Sequence, residues 1–148
     1  MRILIAAVGR LREGPERELV DRYLRRVPWR VREVEIEPPA TRDPLLRRRR
    51  EGELLLAKTA GMLRIGLDPR GRTLDSEGFA RLLDRHAAEA IALLVGGADG
   101  LSEEVRESCA GLVSFGPMVW PHELFRVMLA EQLYRAHCIL TGHPYHRG

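Results

Sequence analysis

Residues 90–95 read AIALLV, an unbroken apolar run of strand length, and Gly96-Gly97-Ala98-Asp99-Gly100 follows at once. A strand with one wet face alternates apolar and polar residues, whereas a continuous run of this length marks a strand covered on both faces, as in the interior of a parallel sheet. Parallel neighbours cannot be joined by a tight hairpin and need crossover helices. The rest of the chain must therefore supply strands and helices in alternation.

It does. RILIAAV opens the chain as another buried strand, and GPERELVDRYLRRV then sets Leu19, Val20, Tyr23, Leu24 and Val27 on one helical face. VREVEIE alternates, which predicts a strand near a sheet edge with one wet face. Asp43 followed by Pro44 is a helix start, a capping carboxylate and then a ring tolerated at the first helical position. Arg47, Arg48, Arg49 and Arg50 pass right round that helix and so make no single basic face; a solvated helix turn and an RNA-phosphate contact both fit them. MLRIGLD reads as the third strand, closed by the turn DPRG. Ser76 reads as the cap of EGFARLLDRHAAE, with His86 a cation favoured by the dipole at its end. Ser102 caps a short helix, GLVSF is a last short strand, and a long helix from about Pro121 to Leu140 stops at Gly142. This alternation predicts an α/β fold over 1–148, a single domain with a mainly parallel sheet and helices on both faces.

At 148 residues the chain can bury a core without staples. Cys109 and Cys138 lie in different apolar segments without CxxC spacing, so the expected compartment is reducing and cytoplasmic. The first apolar run is too short to cross a membrane and lacks signal-peptide flanks. The net charge of +3, carried by arginines and the one lysine, Lys58, permits a nucleic-acid partner without requiring one. His143 and His146 have no third ligand in register, which argues against a metal.

Ligands of such sheets bind beyond the carboxyl ends of the strands, which directs attention to residues 67–71, 96–100 and 115–122. GGADG is not spaced as a dinucleotide fingerprint. Asp99, Glu103 and Glu104 would repel a phosphate, so the expected ligand carries hydroxyls, an amine or a positive charge; a tight strand-to-helix turn accounts for the glycines equally well. In FGPMVWPH, Phe115, Met118, Val119 and Trp120 are large and apolar where loops are polar, which suits a fold over an aromatic ligand, core packing or a subunit contact. His122 is expected to be held toward neutrality by the helix dipole, or to cap the helix. The long helix is apolar round most of its circumference and needs a second cover besides the sheet, for which a partner subunit is the natural source. Arg126, Glu131 and Arg135 interrupt that surface as buried pairs or site residues. After Gly142, where a terminus is usually bland, come His143, Pro144, Tyr145, His146 and Arg147.

LDPRG, SEGFA, LLVGGADGLS, MVWPHELFRVMLAEQLYRA and the closing HPYHRG, with the opening ILIAAVGRL, resemble the RlmH family, also called YbeA-like, over essentially the whole chain. Its members are small SPOUT-class methyltransferases that modify a pseudouridine of large-subunit (23S) ribosomal RNA. The resemblance implies a C-terminal trefoil knot, a homodimer, and S-adenosyl-L-methionine as methyl donor for N3 of the pseudouridine on assembled ribosomes. By motif it assigns the cofactor to Leu67, Gly96, Gly97, Gly100, Phe115, Gly116, Pro117, Met118, Val119 and Trp120. Substrate binding or catalysis falls to His122, Arg126, Arg135, His143, Tyr145, His146 and Arg147. Where the family usually has Met-Thr-Leu or Met-Thr-Phe before Pro-His, this chain has Met118, Val119 and Trp120, a change that backbone contacts to adenine would survive. Methyl transfer from a sulfonium needs positioning and a deprotonated acceptor. A docked tail supplies both when Tyr145 stacks on a base, Arg147 pairs with phosphate and a histidine takes the proton. The rival readings are a non-enzymatic ribosome- or RNA-binding protein of the same fold, a SPOUT tRNA methyltransferase, and a flavodoxin-like nucleotide-binding module, against which the acidic loop argues.

Overall fold

The computed structural model describes residues 1–148. In chain order the elements are β1 (Arg2–Val8), α1 (Pro15–Arg26), β2 (Arg30–Ile36), α2 (Pro44–Lys58), β3 (Leu63–Thr73), α3 (Ser76–Arg85), β4 (Ala90–Val95), α4 (Glu103–Glu107), β5 (Gly111–Ser114) and α5 (His122–Thr141). The strands form one sheet ordered β2-β1-β4-β3-β5, every neighbouring pair parallel. AIALLV is the central strand, which is why it is apolar on both faces.

The two-residue period of β4 divides the core. Ile91, Leu93 and Val95 join Ile3, Ile5 and Ala7 of β1 on one face, under Phe79, Ala80 and Leu83 of α3 and Leu129, Leu133 and Ala136 of α5. Ala92 and Leu94 join Ala6 and Val8 on the other, under Leu55 of α2 and Val105 of α4. A smaller cluster of Leu11, Val20 and Ala130 ties α1 to α5. Helix α5 ends where Gly142 adopts φ 72°, the left-handed conformation that a side chain disfavours. No helix is long and apolar enough to cross a membrane.

Three local expectations are corrected. DPRG does not close β3: Leu67 and Arg72 both pair with Val113, so residues 68–71 bulge outward before the strand resumes through Thr73. The cap of α3 is Asp75, whose carboxylate accepts the Gly78 N–H, while Ser76 lies inside the helix and donates to Gln132 Oε1. β2 is the edge strand expected, but its charged side is not simply wet. Glu33 and Glu35 are bound by Arg126 of α5, and Glu33 also by Arg17 of α1.

Asp43 caps α2 as expected, accepting the N–H groups of Leu45 and Leu46 at 3.0 and 3.4 Å. Asp43→Ala removes that acceptor and is expected to cost about 1 kcal/mol, read as a shift of the denaturation midpoint at unchanged slope.

Candidate functional site

The carboxyl ends of β1, β4, β3 and β5 open onto one cleft of about 790 Å³. Ala7 pairs with Val95 and Val95 with Leu67, so these ends finish at one level and place Val8, Val95, Leu67 and Val113 at the base of the cleft. Three loops rise from them: the bulge at 68–71, the glycine loop at 96–100, and the apolar loop from Phe115 to Trp120. His122 and Phe125 of α5 and Arg47 and Glu51 of α2 complete the lining.

Of the residues assigned to the cofactor, Leu67, Gly96, Gly97, Gly100, Phe115, Gly116, Met118, Val119 and Trp120 all line this cleft. Pro117 does not, because the loop carries its exposed ring outside the cleft. A Cβ on Gly96 would lie 2.8 Å from the Gly100 carbonyl carbon, so only glycine lets the loop fold back on itself here. The Gly116 N–H donates to Ser114 Oγ at 3.0 Å, and Phe115 packs edge-on against Phe79 and tilted against Phe125, with ring centroids 6.0 and 5.1 Å away. The root of the loop is thus fixed by the core. Its tip is not: Met118 and Val119 are 70% and 94% exposed.

The charged groups of the cleft differ in their partners. Asp99 is bound by Arg47 at 2.7 Å, which holds its carboxyl below the usual range. Asp68 is buried, yet hydrogen bonds from Arg70 outweigh that burial and hold its carboxyl low. Glu51, 3% exposed, has no such partner, and its Oε1 makes no hydrogen bond. Burial and the charge of Asp99 push its carboxyl up, against a weaker pull from Arg47.

His122 occupies the first turn of α5 without capping it. Its Nε2 is buried, unpartnered and beneath Gly9, where a Cβ would stand 3.3 Å away. Burial first, and then the positive charge of Arg126, lower its pKa, so the ring is neutral at pH 7. Burial is therefore the leading cause, where the sequence pointed to the dipole.

The tail is tied down, but not in this cleft. The Tyr145 hydroxyl donates to Glu131 Oε1 at 2.8 Å, and Arg135 binds the same carboxylate and lies 4.7 Å from the centre of the Tyr145 ring. Burial and the bond to Glu131 raise the Tyr145 pKa, so it keeps its proton. Arg135 also donates to His146 Nδ1 at 3.1 Å, which places a neutral ring's proton on Nε2, toward Glu77. His143 is exposed and accepts the Tyr145 N–H, and Arg147 is exposed. Arg126 is 2% exposed, committed to Glu33 and Glu35, and does not line the cleft. The structure thus makes two groups of the expected residues, His122 with the glycine and apolar loops at the cleft, and Arg135, Tyr145 and His146 along α5.

Glu51 and Arg47 were not legible as site residues, although a signal existed. Glu51 lies four residues before Leu55, on the stripe of α2 that faces the core, where a carboxylate is costly without a reason.

A family model described as "Predicted SPOUT methyltransferase" matches residues 1–146, which gives the class. The chain is 50% identical over 154 residues to the ribosomal RNA large subunit methyltransferase H of Rhodospirillum centenum, and 50% over 153 residues to the protein of that name in Paramagnetospirillum magneticum, covering 99% of each pair. Among solved structures, a probable methylase family protein from Haemophilus influenzae superposes with TM-score 0.58 at 15% identity, over 99% of this chain and 70% of the other. A probable methyltransferase from Bordetella pertussis gives 0.56 at 17%, over 92% and 96%. These two share the fold. The chain belongs to the SPOUT methyltransferases and, within that class, to the RlmH family.

Proposed function

We propose that this chain transfers a methyl group from S-adenosylmethionine to N3 of a pseudouridine in 23S ribosomal RNA, acting in the cytoplasm as a single-domain homodimer on assembled ribosomes. The observation that carries the reading is the glycine-cradled, apolar-walled cleft at the strand ends, in a chain half identical throughout to relatives named for methylating large-subunit ribosomal RNA. The residues present fit the cofactor. Gly96 folds back to form a cradle that a Cβ would fill, the Phe115–Trp120 loop offers backbone groups to a base edge and apolar side chains to its faces, and the volume lies within the usual range for small-molecule sites. When bound, S-adenosylmethionine supplies a methyl group activated by its sulfonium. The reading includes the trefoil knot of the SPOUT class, with the 96–100 and 115–120 segments as its cofactor loops.

The chain's own residues position the acceptor and take its proton. His122 is the one histidine lining the cleft, its ring neutral and its Nε2 buried beneath Gly9 without a hydrogen-bond partner, whereas His146 lies outside the cleft with its acceptor nitrogen held by Arg135. On that position alone His122 is the candidate base. The Arg135, Tyr145 and His146 group supplies a cation, a ring and donors suited to RNA, but it contributes nothing to the cleft of its own chain. A second copy would bring the tail of one chain to the cleft of the other, and would cover the exposed Met118, Val119 and Leu124.

The test is transfer of labelled methyl from S-adenosylmethionine to ribosomes lacking the modification, beside free ribosomal RNA and tRNA, with the product mapped by mass spectrometry. Label on one pseudouridine of assembled ribosomes is expected. Label on tRNA would reassign the substrate, and no label on any RNA from a folded dimer would leave a binding protein.

A further inference from the structure

Glu51 stands out among the cleft residues because it is a buried carboxyl that makes no hydrogen bond or ion pair with any side chain. The cation that acts on it, Arg47, is hydrogen-bonded elsewhere, to Asp99 and the Thr41 carbonyl oxygen. The helix that carries it also brings the carboxylate against the glycine loop. A Cβ on Gly97 would meet Glu51 Oε2 at 3.0 Å, Oε1 at 3.2 Å and Val8 Cγ1 at 3.0 Å. The lack of a side chain at Gly97 is thus what leaves the carboxylate a path into the cleft. Burying an unpaired carboxylate is expensive, and an apolar side chain on this core-facing stripe would avoid the cost. A site that keeps it is complementary to a ligand bearing positive charge.

We propose that Glu51 is a ligand-binding residue, whose carboxylate receives the cationic centre of the bound cofactor and so favours the charged methyl donor over an uncharged relative. The inference rests on the cofactor reading above and deepens it. Two centres of S-adenosylmethionine share that chemistry, the sulfonium and the α-ammonium. Three probes separate them: S-adenosylmethionine carries both, S-adenosylhomocysteine only the ammonium, and methylthioadenosine neither.

The experiment is calorimetric titration of the full-length chain and of Glu51→Gln with each probe, beside thermal unfolding of both proteins. Glu51→Gln keeps the shape and removes the charge. It is expected to weaken S-adenosylmethionine about 10- to 100-fold and to leave methylthioadenosine within about twofold. Equal weakening of S-adenosylhomocysteine places the ammonium on Glu51, and unchanged S-adenosylhomocysteine places the sulfonium there; both support the proposal. Glu51→Asp, which keeps the charge, is expected to recover part of the lost affinity. The melting temperature is expected to hold or rise, since an unpaired buried charge has gone. Equal weakening of all three probes, or of none, overturns the proposal, as does a fall in melting temperature accompanied by loss of all binding. If the parent chain binds no probe, the cofactor reading itself fails and takes this one with it; if the parent binds and Glu51→Gln binds alike, only this one fails.

Discussion

Tyr145→Ala is expected to reduce methyl transfer by about 100-fold or more while leaving S-adenosylmethionine affinity within about twofold. The ring is the keystone of the tail. It packs 4.7 Å from Tyr134 and 4.7 Å from the Arg135 guanidinium, and its hydroxyl binds Glu131. Without it Arg135 and His146 lose the geometry that would hold RNA, yet no atom of the cofactor cleft is touched. Tyr145→Phe, which keeps the ring and drops only the bond to Glu131, should fall between the two. A mixing experiment asks which cleft the tail serves. His122→Ala and Tyr145→Ala are each expected to be nearly inactive alone. If the tail of one chain serves the cleft of the other, a heterodimer holds one site built from an intact cleft and an intact tail. Equal mixing after subunit exchange should then recover roughly a quarter of the parent activity, since half the dimers are mixed and each has one good site. No recovery would mean that each tail serves its own cleft.

The alternation of strands and helices was legible because each element has its own hydrophobic period, and the central place of β4 because only a doubly covered strand can be apolar throughout. The cleft was legible for the same reason, since a parallel sheet gathers the carboxyl ends of its strands, and the loops that leave them, at one end. What stayed hidden depends on contacts distant in sequence. The continuation of β3 past the DPRG bulge is decided by β5, which offers Val113 and Ser114 to Arg72 and Thr73. The covering of β2 is decided by α1 and α5: the alternation in VREVEIE separates two faces but does not say what lies over each. The separation of the tail group from the cleft has a similar reason. α5 runs from the cleft back along the sheet, and the tail reverses after Gly142 but returns only as far as Glu131, Tyr134 and Arg135, a return that no local pattern encodes. Glu51 was hidden because a single glutamate in a helix rich in charge reads as surface until its neighbours are known.

Arg126→Met is expected to destabilise the fold by about 2–4 kcal/mol, a large share of the 5–15 kcal/mol typical of a domain. The methionine retains most of the aliphatic packing, so the loss is electrostatic. Arg126 bridges Glu35 at 2.9 Å and Glu33, while Arg17 reaches Glu33 at 2.6 Å, which locks the start of α5 to the edge strand. Glu33 and Glu35 retain 19% and 28% side-chain exposure, and water reaching them keeps the cost below that of a fully buried pair. The pH dependence identifies the cause. Burial works against ionised Glu35, but the Leu11 N–H and Arg126 outweigh it, and its carboxyl is held below its usual value. A carboxyl lowered in the folded state contributes stability that is complete above the unfolded pKa, near 4.5, and is lost as pH falls through the lower folded value. The parent should therefore weaken below about pH 4.5. Arg126→Met lacks part of that contribution from the outset, so the gap in stability should be full at neutral pH and should narrow as the carboxylates are protonated. Urea unfolding of both proteins between neutral and acid pH reads this directly. A gap that keeps its full size in acid would assign the loss to packing. The same substitution removes one cause of the lowered His122 pKa, so the acid limb of any methyl-transfer profile should move to higher pH. One arginine would thereby link the seating of α5 on the edge strand to the protonation of the histidine at the cleft.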